Sequence, residues 1–279
     1  MVSENVAVVT GANRGIGYEI VKGLCKKYDG HVYLTARDVV RGNAAIEKLK
    51  ILGLNPIFHQ LDISDQKSVD TFKDHIKEKH GGINILINNA GVSLSKAPIP
   101  LSEKAKKTLE LNYFGTVRIC EALFPLLREN ARVVNVSSLA GQLNLIPSEK
   151  LRNRLKDPNL TITELNNIME KFIRDADQNR HIEEGWGESI YVVSKVGVSA
   201  LTIIQQRNFD KELPNRNISV NSVHPGYVQT DMTGFKGELT AEQGAEAPLF
   251  LALEANLKGK YVWFDCGVVD WDGPPIGKS

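Results

Sequence analysis

A tyrosine and a lysine stand four residues apart, at Tyr191 and Lys195, where an apolar helical pattern begins. Side chains at positions i and i+4 lie on the same face of a helix. An ammonium about 4 Å from a phenol stabilises the phenolate by roughly 4 kcal/mol at an effective dielectric near 20. The pair therefore predicts a tyrosine that exchanges a proton near neutral pH. An isolated pair of this kind is more often two neighbouring surface side chains. Other residues must therefore show whether this pair is catalytic.

A second feature that could bind a ligand is the glycine-rich stretch at residues 6–21. Its pattern indicates a short strand, a turn and the start of a helix. Gly11, Gly15 and Gly17 lack the side chains that would keep a ligand away from the backbone. The first turn of a helix has unpaired N–H groups and a positive dipole end, which together bind a pyrophosphate. The stretch predicts a dinucleotide site; the alternative is a strand-to-helix turn that merely needs glycines.

The apolar pattern supplies a scaffold that would position both features. Short and nearly continuous apolar runs alternate with helical patterns, which is typical of parallel strands covered by helices on both faces. We predict an α/β, doubly wound Rossmann fold with a seven-stranded parallel sheet flanked by helices. The expected strands lie at residues 6–10, 32–35, 56–61, 83–87, 133–136, 218–223 and 261–264.

The chain is expected to form a single domain over residues 1–279, because no repeat, low-complexity tract or linker divides it. Residues 142–187 interrupt the alternation of strands and helices. Polar and helical patterns fill this region, although only about 2–6 residues are usually needed to join a strand to a helix. We predict a helical insertion there, directly before Tyr191.

Composition excludes several classes of partner. A formal charge of +1 leaves no large field of either sign, so neither nucleic acid nor a membrane surface is expected as a partner. No apolar run approaches the roughly 18 residues that could span a bilayer, and the N-terminus lacks the pattern of a secretory signal. The cysteines form no paired framework, and no grouping has metal-ligand spacing. These features predict a cytoplasmic protein without a metal.

Several separated motifs resemble the short-chain dehydrogenase/reductase family in identity, order and spacing. They are T-G-x-x-x-G-x-G at residues 10–17, N-N-A-G at residues 88–91, Asn112, Ser138, Tyr191 with Lys195, and Pro225-Gly226. The resemblance implies a catalytic tetrad of Asn112, Ser138, Tyr191 and Lys195, with Ser137 as a less favoured alternative to Ser138. Tyr191 would give a proton to a carbonyl oxygen that Ser138 orients. Lys195 would lower the pKa of Tyr191 and hold the cofactor ribose, and Asn112 would tie a water to Lys195.

The long interval before Tyr191 narrows the resemblance to the monomeric carbonyl reductases of that family. In those relatives the inserted helices cover the surface through which other members form tetramers. The resemblance implies a monomer that acts on a small-molecule carbonyl substrate, although an insertion can also create a new interface.

The identity of the cofactor depends on the residues after the second strand. An acid there usually holds the ribose 2′-hydroxyl of NAD, whereas the 2′-phosphate of NADP needs cations. Arg37 and Arg41, with Arg14 in the glycine turn, supply guanidinium groups, so NADPH is the expected cofactor. Asp38 is a competing acid, but it lies past the usual position and can cap the next helix. The expected cofactor contacts are Gly11, Asn13, Arg14, Gly15, Ile16, Gly17, Arg37, Arg41, Asp62, Ile63, Asn89, Ala90, Gly91, Tyr191, Lys195, Pro225, Gly226, Val228 and Thr230.

The resemblance implies NADPH-dependent reduction of quinones, aldehydes and ketones to alcohols. The expected substrate contacts are Ser138, Ala140, Trp186, Tyr191 and Tyr227, and His224 is expected to be a strand-end histidine satisfied by the backbone. The same tetrad would also serve a hydroxysteroid or prostaglandin dehydrogenase that oxidises alcohols with NADP. A third hypothesis is a non-catalytic protein that senses NADP(H).

Overall fold

The computed structural model describes residues 4–274 of the chain, in which strands and helices alternate. The strands are β1 Val6–Val9, β2 His31–Ala36, β3 Ile57–Gln60, β4 Ile83–Asn88, β5 Leu127–Val136, β6 Ser219–Val223, β7 Tyr261–Val262 and β8 Val268–Val269. The helices are α1 Gly15–Lys27, α2 Val39–Ile51, α3 Gln66–His80, α4 Leu101–Leu109, α5 Gly115–Leu123, α6 Glu149–Leu155, α7 Ile162–Asp177, α8 Ile190–Asp210 and α9 Ala241–Leu253. A π-helical turn at Glu110–Phe114 joins α4 to α5.

The strands form one sheet in the order β3-β2-β1-β4-β5-β6-β7-β8. Strands β1 to β7 are parallel. The order reverses direction between β1 and β4, which opens a crevice at the carboxyl ends of these strands. The prediction of a doubly wound fold with seven parallel strands is confirmed.

The sheet has one strand more than expected, because β8 pairs antiparallel with β7. A tight turn joins them, in which Trp263 N–H donates to the Gly267 carbonyl at 2.8 Å and Gly267 N–H donates to the Asp265 carboxylate at 2.9 Å. A strand of two residues is too short to give a periodic apolar signal. The sequence pattern therefore did not predict β8.

On the central strands, alternate side chains pack into two apolar layers, one on each face of the sheet. On β1, Ala7 and Val9 face a core formed with α1, α2 and α9, whereas Val6 and Val8 face a core formed with α3 and α5. This burial of both faces is why the strands appear as unbroken apolar runs in the sequence. Among residues 4–274, no helix combines the length and the apolarity needed to cross a membrane.

Helices α6 and α7 occupy the region predicted to be an insertion. At the start of α7, the side chains of Thr161 and Glu164 each accept the other residue's backbone N–H, a capping box that fixes where the helix begins. The apolar face of α7, formed by Leu165, Met169 and Phe172, packs into a core shared with α4 and α8. The insertion therefore covers the outer faces of α4 and α8.

Candidate functional site

A cleft of about 810 Å³ lies at the carboxyl edge of the parallel sheet, and most of the residues that line it follow the ends of β1 to β7, while Tyr191 and Lys195 come from α8. This volume is within the roughly 300–1,000 Å³ common for ligand pockets. The cleft contains every predicted cofactor contact except Arg41 and every predicted substrate contact except Trp186. Residues far apart in sequence therefore meet in one place.

The glycine turn and the N-N-A-G motif form one structural unit in the floor of the cleft. Thr10 Oγ1 accepts the backbone N–H groups of Asn89 and Ala90, each at 3.0 Å. Gly11 has φ +62°, and a β-carbon there would lie 2.8 Å from the Ala90 α-carbon. A β-carbon at Gly17 would lie 2.4 Å from Asn89 Nδ2. These contacts require glycine, because any side chain would push the two motifs apart.

The first turn of α1 offers an anion site to the cleft. Arg14 precedes the helix, no side chain caps its N-terminus and no acidic residue lies in its first turn. The backbone N–H groups there can therefore bind a phosphate. Arg14 also forms an exposed ion pair with Asp231 at 2.8 Å, and Arg37 lies exposed at the cleft after β2.

Arg41 lies outside the cleft, contrary to expectation. The Asp38 carboxylate accepts the Arg41 backbone N–H at 2.9 Å and its Nε–H at 2.8 Å. These bonds cap α2, as predicted for Asp38, and hold the pKa of its carboxyl below the usual value. Arg41 is engaged locally by the cap, so Arg37 is the guanidinium next to β2 that faces the cleft.

The two adjacent serines after β5 have different surroundings. The Ser137 hydroxyl is buried and bonds the Ser199 hydroxyl at 2.8 Å and the Lys195 carbonyl at 3.2 Å. The Ser138 hydroxyl interacts with the Tyr191 phenol and lowers the pKa of that phenol. Ser138 therefore faces the tyrosine, and the Ser137 hydroxyl is engaged by α8.

Burial controls the proton affinity of the Tyr191–Lys195 pair. It raises the pKa of Tyr191 to about 12, an effect that the Ser138 hydroxyl partly opposes. It lowers the pKa of Lys195 to about 8. Lys195 Nζ lies 5.8 Å from the centre of the Tyr191 ring and donates to the Val136 carbonyl at 2.8 Å. The expected lowering of the tyrosine pKa by Lys195 is therefore absent in this structure.

Asn112 lies in the π-helical turn beside the cleft and is almost fully buried. Its side chain exchanges hydrogen bonds with the backbone of Val92, at 2.8 and 2.9 Å, and donates to Ser194 Oγ at 3.0 Å. A β-carbon at Gly91 would lie 3.4 Å from Asn112 Oδ1 and 3.6 Å from Lys195 Nζ. Asn112 therefore ties the loop after β4 to α8, next to Lys195.

Trp186 belongs to the protein core and does not line the cleft, so its expected contact with substrate is wrong. It is only 1% exposed, packs edge-on against Phe172 and donates from Nε1 to the Asp175 carboxylate at 2.7 Å. Asp175 also accepts Lys171 Nζ at 2.6 Å. This tryptophan anchors the insertion because its ring fills the core and its N–H satisfies a buried charge.

We therefore expect Trp186→Ala to lower the free energy of unfolding by about 3–5 kcal/mol, the usual cost of deleting a large buried aromatic ring. Trp186→Phe is the comparison, because it keeps most of the ring volume but loses the bond to Asp175. Chemical denaturation of both variants measures the effect. A loss below about 1 kcal/mol for the alanine variant would contradict the buried position.

The substrate end of the cleft includes aromatic residues that the sequence interpretation missed. Trp263 and Phe264 follow β7 and line the cleft with Tyr227, which is half exposed. The Tyr261 hydroxyl donates to the Ser138 carbonyl and supports that residue from behind. The apolar pattern of residues 261–264 predicts only a strand. Its position after a parallel strand was the available signal, since such residues reach the ligand edge of the sheet.

One cluster of possible metal ligands lies outside the cleft. The spacing of residues in the sequence predicts no metal site, so this cluster needs to be considered. Ligand atoms of Glu4, His31 and His80 lie within 4.8 Å of one another. The Arg128 guanidinium donates to the backbone carbonyls of Glu4 and His80, which places a positive charge beside the group. That charge opposes the binding of a cation.

The comparisons with known proteins agree with this geometry. The chain matches the family described as short chain dehydrogenase over residues 5–148 and 182–240. It is 44% identical over 250 residues to carbonyl reductase [NADPH] 3 of Rattus norvegicus, covering 89% of this chain and 90% of the relative. It is 42% identical over 251 residues to carbonyl reductase [NADPH] 1 of Homo sapiens, covering 89% of this chain and 91% of the relative.

Salutaridine reductase from Papaver somniferum has a similar solved structure. The TM-score is 0.84 at 32% identity, covering 94% of this chain and 100% of that one. The family match leaves out residues between 148 and 182, where α6 and α7 lie. The chain therefore belongs to the short-chain dehydrogenase family.

Proposed function

We propose that this protein reduces carbonyl compounds such as quinones, aldehydes and ketones to alcohols with NADPH. The observation that carries the proposal is the meeting of Ser138, Tyr191 and Lys195 in the same cleft as the glycine turn. The similar carbonyl reductases, which are named for NADPH, support the same activity and cofactor.

The cleft fits the proposed cofactor. The glycine turn forms a cradle without side chains, and the first turn of α1 would hold the pyrophosphate. Arg37, exposed after β2, would bind the 2′-phosphate, and Lys195 would hold the nicotinamide ribose. When bound, NADPH would supply a hydride to the carbonyl carbon.

Tyr191 would then give its hydroxyl proton to the carbonyl oxygen as negative charge develops there. Burial raises the pKa of Tyr191 to about 12, so the phenol carries the required proton at neutral pH. Ser138 would donate a hydrogen bond to the same oxygen. The same residues could serve oxidation of an alcohol, and the similarity to carbonyl reductases favours the reductase over the alcohol dehydrogenase.

We also propose a cytoplasmic monomer with a single domain over residues 1–279, of which residues 1–3 and 275–279 lie outside the described part. The packing of α7 over α4 and α8 supports the monomer, because it covers the surface through which other family members would associate. The three free cysteines, Cys25, Cys120 and Cys266, support a reducing compartment.

The proposed activity is tested by following NADPH oxidation with quinones, dicarbonyls, aromatic aldehydes, ketosteroids and prostaglandins, and by repeating the assays with NADH. We expect turnover with NADPH and at least one of these carbonyl classes. Oxidation of alcohols by NADP without any reduction would support the dehydrogenase. Binding of NADPH without turnover of any compound would support the sensing protein.

Arg37→Ala is expected to reduce the preference for NADPH over NADH by roughly 10- to 100-fold, because a charge-assisted bond to the 2′-phosphate is lost. Arg41→Ala is the comparison. Its preference for NADPH over NADH should fall less, because Arg41 is paired with Asp38 outside the cleft. The ratio of kcat/KM for the two cofactors measures the effect. An equal or larger change at Arg41 would contradict the assignment.

The dependence of the reaction on pH follows from the buried lysine. Burial lowers the pKa of Lys195 to about 8, so the ammonium loses its proton as the pH rises through this value. We expect kcat/KM for NADPH to fall over the same range, because neutral Lys195 has lost its attraction for the cofactor. A profile that stays flat from about pH 7 to 10 would contradict a required ammonium.

A further inference from the structure

A histidine lies beside the proposed catalytic residues and is not used by them. His224 follows β6, lines the cleft and is 7% exposed. Its Nδ1 accepts the Leu139 backbone N–H at 2.8 Å and faces the Gly226 N–H at 3.4 Å. This contact agrees with the expectation that the backbone supplies a hydrogen bond to the His224 ring. It accounts for only one of the two ring nitrogens.

These contacts fix the tautomer of the ring. A nitrogen that accepts an N–H bond carries no proton, so the hydrogen of the neutral imidazole is on Nε2. Burial lowers the pKa of His224 to about 4, which keeps the ring neutral at physiological pH. His224 is therefore a neutral hydrogen-bond donor through Nε2.

The orientation of the ring is fixed by packing. Trp263 contacts it edge-on with ring centres 4.5 Å apart, and Phe264 contacts it at 6.2 Å. Among residues 4–274, Nε2 has no hydrogen-bond partner, and it is not among the unpartnered polar atoms sealed from solvent. The free donor therefore remains accessible from the cleft that the ring lines.

We propose that His224 Nε2–H binds a second acceptor oxygen of the substrate, adjacent to the carbonyl group that is reduced. This inference rests on the proposed reductase activity. The imidazole is anchored to the backbone N–H of Leu139, the residue directly after Ser138, and both His224 and Ser138 line the cleft. His224 is thus a positioning residue that favours vicinal dicarbonyl compounds over ketones with a single oxygen.

The preference has a physical cause. A substrate with one oxygen displaces water as it fills the cleft and leaves the Nε2–H without a hydrogen-bond partner. A pocket built to bond a second polar group selects against the compound that lacks it. At the same end of the cleft, Trp263 and Phe264 offer mainly apolar surface and Tyr227 is half exposed, so the imidazole is the donor that packing holds in one orientation.

Two substitutions separate the roles of the two nitrogens. Asparagine can replace the Nδ1 acceptor and keep the bond from Leu139 N–H, but its side chain is too short to replace Nε2. Glutamine can reach the position of Nε2 with an amide donor. His181→Gln is the matched control, because His181 is also buried but lies outside the cleft.

The measured quantity is kcat/KM for 1-phenyl-1,2-propanedione divided by that for propiophenone, with NADPH saturating. We expect His224→Asn to lower this ratio roughly tenfold through KM for the diketone, and His224→Gln to restore most of it. His181→Gln should keep the wild-type ratio. Circular dichroism and the Kd for NADPH show that each variant remains folded and loaded.

An unchanged ratio in His224→Asn would overturn the inference. An equal fall in kcat/KM for both ketones in His224→Gln, with wild-type kcat/KM for both in His224→Asn, would also overturn the inference. That result would assign His224 a structural role through its bond to Leu139. Failure of the wild-type protein to reduce either ketone or any other carbonyl would instead refute the proposed function, which is a separate result.

Discussion

Tyr191→Phe is expected to lower kcat/KM for carbonyl reduction by roughly 10²–10⁴-fold, the usual contribution of a positioned acid. The substitution removes only the hydroxyl that faces Ser138 and leaves the ring beside Lys195. NADPH should therefore bind with nearly the wild-type Kd. Steady-state kinetics and titration of NADPH fluorescence measure the two effects.

Tyr113→Phe is the matched control for this experiment. Tyr113 is fully buried outside the cleft, and its hydroxyl donates to Asn166 Oδ1 at 2.8 Å. Its loss should reduce stability with little change in kcat/KM. If Tyr191→Phe keeps kcat/KM within about twofold of the wild type, another group supplies the proton.

Ser138→Ala is expected to lower kcat by roughly 10²–10³-fold, because it removes a fixed donor to the oxygen on which charge develops. Ser137→Ala is the comparison and should cause a much smaller loss of kcat, since that hydroxyl bonds Ser199 inside the protein. Measuring kcat for both variants distinguishes the adjacent serines. A larger loss at Ser137 would reverse the assignment.

The parts of the site that depend on local patterns could be predicted from the sequence. The glycine turn and the Tyr191–Lys195 pair each lie within one strand, turn or helix, so their spacing fixes their geometry. The role of Asp38 as a helix cap could also be predicted, because its partner is the backbone of Arg41, only three residues away. The carboxyl ends of parallel strands then bring these local units together.

The remaining features depend on partners that the sequence does not identify. Trp186 was expected at the substrate, but its N–H satisfies Asp175 in the insertion. The proton affinity of Tyr191 depends on burial by several elements, which the spacing to Lys195 does not reveal. The free nitrogen of His224 also depends on tertiary contacts, here with Leu139 on one side and two aromatic rings on the other.

The most direct test of the proposed reduction is an isotope-transfer measurement with the full chain. NADPH carrying two deuterium atoms at nicotinamide C4 is incubated with the protein and 1-phenyl-1,2-propanedione, and the alcohol is analysed by mass spectrometry. The proposed function predicts one deuterium on the carbinol carbon for each NADPH oxidised. An alcohol without deuterium, or oxidation of NADPH without formation of an alcohol, would contradict it.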